Sequence, residues 1–214
     1  MVGSMNVILD RLGRLGVIPV VVLDDPASAD ALADALIKGG LPTAELTLRT
    51  PAALESIKAL ATHDDLLVGA GTVTSPYQAQ AALDAGATYI VGPGFSTAVS
   101  RECATLGVPY IPGVVTPTEV LHALDAGWEV LKFFPAEAAG GIAMLTALSA
   151  PFGSARFVPT GGIAAQGLSA YLALASVHAV GGTWIAPRAD LAARDFSAIA
   201  ERAAQAVATV KECR

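Results

Sequence analysis

Charge of either sign is scarce in this sequence, and so are cysteines and long apolar runs. Charged residues make up 15% of the chain and hydrophobic ones 53%. The net charge is −6 and no basic run occurs, which argues against nucleic acid or an anionic membrane as a partner. An anionic small substrate needs only a local positive site and stays open. The two cysteines, Cys103 and Cys213, have no metal-ligand spacing and cannot build a framework of bridges. A reducing, cytoplasmic setting is expected. No apolar run comes near the roughly 18 residues that cross a bilayer. The start lacks the basic and apolar regions of a signal peptide.

The three histidines, His63, His122 and His178, show neither H-x-x-x-H nor carboxylate-linked spacing. His63 reads as a loop residue, His122 as a helix-surface residue and His178 as the start of a strand. No metal or other cofactor is required. No G-x-G-x-x-G stands at a strand–helix turn; GAGTVT (69–74) has only its first part.

What is present alternates. Eight β-branched runs recur: VIPVVVL (17–23), AELTLR (44–49), LLVGAGTV (66–73), TYIVGPG (88–94), PYIPGVV (109–115), EVLKFFP (129–135), RFVPTGG (156–162) and HAVGGTW (178–184). Between them lie Ala/Leu-rich stretches with helical spacing, such as 27–40, 75–86 and 116–127. Ser75 and Thr116 each precede a proline at the first helical position, and Gly40, Gly86 and Gly127 stand where left-handed caps end helices. Eight strands alternating with helices are the count of a closed (β/α)8 barrel. The opening segment, about 5–15, reads as an extra N-terminal helix over the bottom of that barrel, and about 195–211 as the final helix. No linker divides the 214 residues, so residues 1–214 are expected to form one α/β domain. Residues 1–4, which precede a second Met, read as added sequence and are set aside. A mean hydropathy of +0.56 points to a sheet buried on all sides, to apolar surface covered by other subunits, or to both.

In a barrel, inward side chains alternate along each strand and the active site lies at the strand C-termini. In AELTLR that puts Glu45, Thr47 and Arg49 on one face and Ala44, Leu46 and Leu48 on the other. The apolar face suits the helices, so the polar one points inward. Such residues are costly in a core unless paired or functional. The structural alternative is an internal Glu–Arg pair. The same test turns Val130, Lys132 and Phe134 inward and Leu131 and Phe133 outward. A lysine there must snorkel out, pair with a carboxylate, or lose its proton and become a nucleophile. An apolar site and a nearby guanidinium favour the neutral amine that attacks carbonyls. Glu45 is then the group to move protons, directly or through water.

PTGGI (159–163) and VGGTW (180–184) are successive strand ends that run through two glycines. They read as tight turns or as backbone cradles for an anion, aided by a following helix start. Barrels recurrently bind phosphate after their last two strands. Thr72 and Pro93, at the ends of strands 3 and 4, would line the same mouth. Thr72 is either an ordinary strand residue or a partner for a carboxylate held by Arg49.

ELTLRTP, GAGTV, KFFPAE, PTGG and GGTW, in this order, resemble the class I pyruvate aldolases that act on 2-keto-3-deoxy-6-phosphogluconate (KDPG) and often on 4-hydroxy-2-oxoglutarate (KHG). The resemblance covers nearly the whole chain. It implies that Lys132 forms the Schiff base and that Glu45 is the general acid/base. Arg49 and Thr72 would hold the pyruvyl carboxylate. Gly161, Gly162 and Thr183 would hold the phosphate, with Gly182 beside them. Pro93, Phe134 and Thr160 complete the substrate-binding set. The implied partners are a phosphorylated 2-keto-3-deoxy sugar acid and pyruvate, in a homotrimer. Alternatives are the galactonate-epimer aldolase, a sugar-phosphate isomerase, or a non-catalytic trimeric scaffold. Three departures bear on substrate preference: VGPG replaces a serine-proline form, Thr183 replaces serine, and Asp24 and Asp25 stand where a basic pair is frequent.

Overall fold

The structure, a computed structural model, describes residues 2–214, with side-chain surroundings from residue 7 onward. Met1, part of the start set aside above, lies outside them. The strands are β1 (Val17–Val21), β2 (Thr43–Thr47), β3 (Leu67–Gly71), β4 (Tyr89–Val91), β5 (Tyr110–Ile111), β6 (Gly113–Val114), β7 (Val130–Phe133), β8 (Arg156–Pro159) and β9 (Val180–Gly182). The helices are α1 (Val2–Leu15), α2 (Ala29–Lys38), α3 (Ala53–Leu60), α4 (Pro76–Asp84), α5 (Thr97–Leu106), α6 (Pro117–Asp125), α7 (Gly141–Ser149), α8 (Leu168–Leu172), α9 (Arg188–Ala193) and α10 (Phe196–Cys213).

Each β-branched run holds a strand, and every ladder is parallel. The order is β5-β4-β3-β2-β1-β9 in a curled six-stranded sheet and β6-β7-β8 in a three-stranded one. The fifth run is divided at Pro112. Proline has no N–H to give the ladder, but its carbonyl still accepts from the Lys132 N–H at 2.8 Å. A parallel bridge between Thr160 and Gly181 links the end of β8 to β9.

Local chemistry sets the helix ends. The Thr116 hydroxyl accepts from the Glu119 N–H, and the Glu119 carboxylate accepts from the Thr116 N–H at 2.8 Å, a reciprocal cap on α6. Gly40, Gly86 and Gly127 follow α2, α4 and α6 with positive φ, as their spacing predicts.

Two apolar clusters divide the interior. Ala44, Leu46, Leu131 and Phe133 belong to the large one, between strands and helices. Ile18, Leu67, Tyr89, Ile111 and Val158 form a smaller one with Leu12 of α1. Burying each large apolar side chain contributes about 1.5–3 kcal/mol. The smaller cluster fills inward positions of β1, β3, β4, β5 and β8, and Glu45 and Lys132 are the buried charged residues of β2 and β7. No described helix is long and apolar enough to cross a membrane.

Candidate active site

Two of the polar inward positions meet. The Nζ of Lys132 donates to Oε1 of Glu45 at 2.9 Å, and both side chains are buried. Lys132 is paired in register with Gly113 and Val158, and Glu45 with Val20 and Gly69. Apolar or small neighbours on each side leave the two groups to satisfy one another. Snorkelling is thereby ruled out for Lys132. The ring of Phe134 adds a face 5.3 Å from Nζ, a favourable site for a cation.

Gly71 makes this contact possible. A Cβ there would lie 2.2 Å from Oε1 of Glu45 and 2.7 Å from its Cγ. Gly71 is not among the expected site residues, although inward alternation on β3 turns it to the same side as Glu45.

Arg49 stands apart from the buried pair. β2 ends at Thr47, whose hydroxyl donates to the Val21 carbonyl, and the backbone then turns, with the Arg49 N–H on the Thr47 carbonyl at 2.8 Å. Arg49 is therefore exposed at the mouth, where alternation alone predicts an inward side chain. Its Nε donates to the Thr72 hydroxyl at 3.2 Å. Thr72 has a φ of 61°, an outlying conformation for a β-branched residue. Such strain costs about 1–3 kcal/mol and gathers at functional sites.

A cavity of about 170 Å³ opens between these groups. Arg49, Lys132, Phe134, Thr160, Gly161, Gly162 and Thr183 line it, with Val20, Val22, Ile163 and Gly181. Glu45 is not part of the lining and joins the site through its bond with Lys132. Gly161 and Gly162 have φ of 105° and 81°, and their N–H groups donate to no protein acceptor among the described residues. They are free to receive an anion. The expected helix dipole is not directly behind them: a 3-10 turn, Ala165–Gly167, comes first, and α8 starts only at Leu168.

Three expected substrate-binding residues do not line the cavity: Thr72, which reaches it only through Arg49, and Gly182 and Pro93. The Cβ position of Gly182 is filled by the Trp184 ring at 1.8 Å, so this glycine serves packing. Gly181 lines the cavity instead, against the Thr160 hydroxyl. Alternation along β9 explains the exchange. Pro93 is outside the lining as well. Its carbonyl leans on Gly113, the residue paired with Lys132.

Asp24 and Asp25, which depart from the resemblance, are both engaged. Arg188 grips Asp24 with two bonds of 2.6 Å, and Arg194 reaches Asp25 at 3.0 Å. Two of the histidines stand as read, and His178 falls two residues short of the strand it was expected to open. His63 is 3.2 Å from Asp30, His122 is exposed on α6, and His178, just before β9, bonds the Leu9 carbonyl at 2.8 Å.

The family described as KDPG and KHG aldolase matches residues 8–202. A 2-dehydro-3-deoxy-phosphogluconate aldolase of Treponema pallidum is 47% identical over 91% of this chain and 93% of its own. A KHG/KDPG aldolase of Escherichia coli is 40% identical over 91% and 92%. The solved structure of a Legionella pneumophila KDPG aldolase, with pyruvate captured at low pH as a covalent carbinolamine intermediate, superposes with a TM-score of 0.88. It is 39% identical and covers 92% of this chain and 96% of that one.

Proposed function

We infer that this chain, which belongs to the KDPG and KHG aldolase family, is a class I aldolase. It cleaves 2-keto-3-deoxy-6-phosphogluconate reversibly to pyruvate and D-glyceraldehyde 3-phosphate, and 4-hydroxy-2-oxoglutarate to pyruvate and glyoxylate. The observation that carries the reading is the buried Lys132–Glu45 contact of 2.9 Å beneath a cavity that also holds an arginine and a glycine turn.

The chemistry runs on these groups. Glu45 takes the ammonium proton across the contact, and the Lys132 amine adds to the C2 ketone. Glu45 returns the proton to the carbinolamine hydroxyl, which leaves as water and yields the iminium. The carboxylate then accepts the C4 hydroxyl proton, directly or through a water. The C3–C4 bond breaks, its electrons pass to the iminium as an enamine, and the aldehyde departs. Protonation at C3 by Glu45 and hydrolysis release pyruvate and restore the lysine. Arg49 and Thr72 hold the pyruvyl carboxylate, whose geometry suits a guanidinium fork. Gly161, Gly162 and Thr183 hold the phosphate, with Thr160 and Phe134 along the path. Remote binding of that phosphate aligns the bond to be broken. No step calls for a metal or cofactor.

The strands are read as a closed (β/α)8 barrel in a single domain, with α1 across its lower end. The Thr160–Gly181 bridge supports closure at β8 and β9, and only Pro112 separates β5 from β6. A homotrimer is proposed, and exposed Tyr77 and Leu121 offer apolar surface to it. Two free thiols suit a cytoplasmic setting. The galactonate epimer and the inert scaffold are not favoured.

The test is pyruvate release from a panel of 2-keto-3-deoxy acids. Release from the phosphorylated gluconate derivative is expected, with a weaker reaction on 4-hydroxy-2-oxoglutarate. No pyruvate from any member would overturn the reading.

A further inference from the structure

Outside the cavity, the Gly161–Gly162 turn rests on a carboxylate that the reaction does not use. The N–H of Glu137 donates to the Gly161 carbonyl at 3.0 Å, and that of Ala136 to the Thr160 carbonyl at 2.8 Å. A Cβ on Gly162 would lie 2.8 Å from Glu137 Cβ and 3.0 Å from its Cγ. The glutamate stem therefore lies directly on the turn. Glu137 is exposed, yet its carboxylate is held: the Tyr171 hydroxyl donates to Oε1 at 2.5 Å. Tyr171 sits in α8 and is 2% exposed. Burial, and then the Glu137 carboxylate itself, push this phenol above its ordinary range, so it remains a donor.

A carboxylate whose stem packs on an anion cradle opposes the ligand through its charge. Released from Tyr171, that charge is no longer held away from the turn and opposes an incoming phosphate. We propose that Tyr171 is a positioning residue for substrate selection: it withholds the Glu137 carboxylate from the glycine turn and keeps that turn open to a phosphorylated substrate end. The proposal rests on the aldolase reading and deepens it. It names the pair that decides how well phosphorylated and unphosphorylated chains are told apart. Neither residue touches the reacting atoms.

The experiment compares steady-state cleavage of 2-keto-3-deoxy-6-phosphogluconate with that of 2-keto-3-deoxygluconate, the same chain without phosphate. Tyr171→Phe is expected to raise KM for the phosphorylated substrate about tenfold, the effect of one charge-assisted hydrogen bond. Its kcat should hold, and KM for the unphosphorylated substrate should not move. Adding Glu137→Gln should restore the phosphorylated KM, because the rival charge is gone. An equal change on both substrates, no change on either, or no rescue in the double variant overturns the proposal. Glu137→Gln alone supplies an arm that leaves Tyr171 intact. It must leave the phosphorylated KM unchanged or lower, and a tenfold rise would reverse the required sign. If the unaltered protein cleaves neither substrate, the aldolase reading itself fails. If it cleaves both and the variants do not discriminate, only the role of Tyr171 fails.

Discussion

Lys132 and Glu45 are 87 residues apart in the chain and 2.9 Å apart in the fold. They come from β7 and β2, strands that are neighbours in neither sheet, so the contact crosses the interior. Their side chains are 7% and 2% exposed. A buried ion pair is weak evidence for stability, since desolvation offsets much of its attraction. Its place beneath the cavity is better explained by chemistry, and that view has consequences.

Glu45→Gln keeps the shape and removes the proton carrier. Turnover should fall by about 10²-fold or more. Near-normal kcat, with circular dichroism unchanged, would reject the role of Glu45.

Gly71→Ala tests the space that the carboxylate needs. The added methyl would meet the far end of the Glu45 side chain, so the side chain should yield rather than the backbone. Misplacement by about 1 Å can cost as much as 10²-fold in rate. Activity should therefore drop much more than thermal stability. A variant with full kcat would show that Glu45 is not spatially confined.

Thr72→Gly separates strain from binding. A left-handed β-branched residue is unfavourable by about 1–2 kcal/mol, against a glycine entropy cost of about 0.5–1 kcal/mol. The variant should be as stable as the parent or slightly more so. It also loses the hydroxyl that holds Arg49, so KM should rise. Urea unfolding and steady-state kinetics check both halves. Lower stability with unchanged KM would contradict them.

His178 makes stability depend on pH. Burial lowers its basicity from the ordinary 6.5, opposed by its bond to the Leu9 carbonyl; Arg214 and Arg156 add to the lowering, and Asp10 opposes it. As pH falls below the unfolded value, the unfolded chain binds a proton that the folded chain refuses. This contribution is full above about pH 6.5 and is lost as pH falls toward the depressed folded value. His178→Gln should flatten the fall of Tm across that window. A variant that keeps the parent slope would assign it to other groups.

Much of this arrangement was legible in alternation alone. Polar residues at every second position of AELTLR, and one lysine among outward Leu131 and Phe133, were enough to predict the Lys132–Glu45 meeting. Arg49 was misdirected because alternation holds only while a strand lasts, and β2 ends two residues earlier. Gly182 meets Trp184 rather than the cavity for a related reason, since only the register of β9 decides which of its glycines faces Thr160. Pro112 divided a strand that its β-branched neighbours suggested was whole. The φ of Thr72 has no compositional mark. The Tyr171–Glu137 bond joins segments 34 residues apart, and no local pattern announces it.

The central claim is that Lys132 forms an imine with pyruvate, and borohydride reduction tests it most directly. The protein is incubated with pyruvate, reduced, digested and examined by mass spectrometry. The account predicts irreversible inactivation that depends on pyruvate, with a reduced pyruvyl adduct on the peptide carrying Lys132. Full activity after reduction, or an adduct only on other lysines, would contradict it.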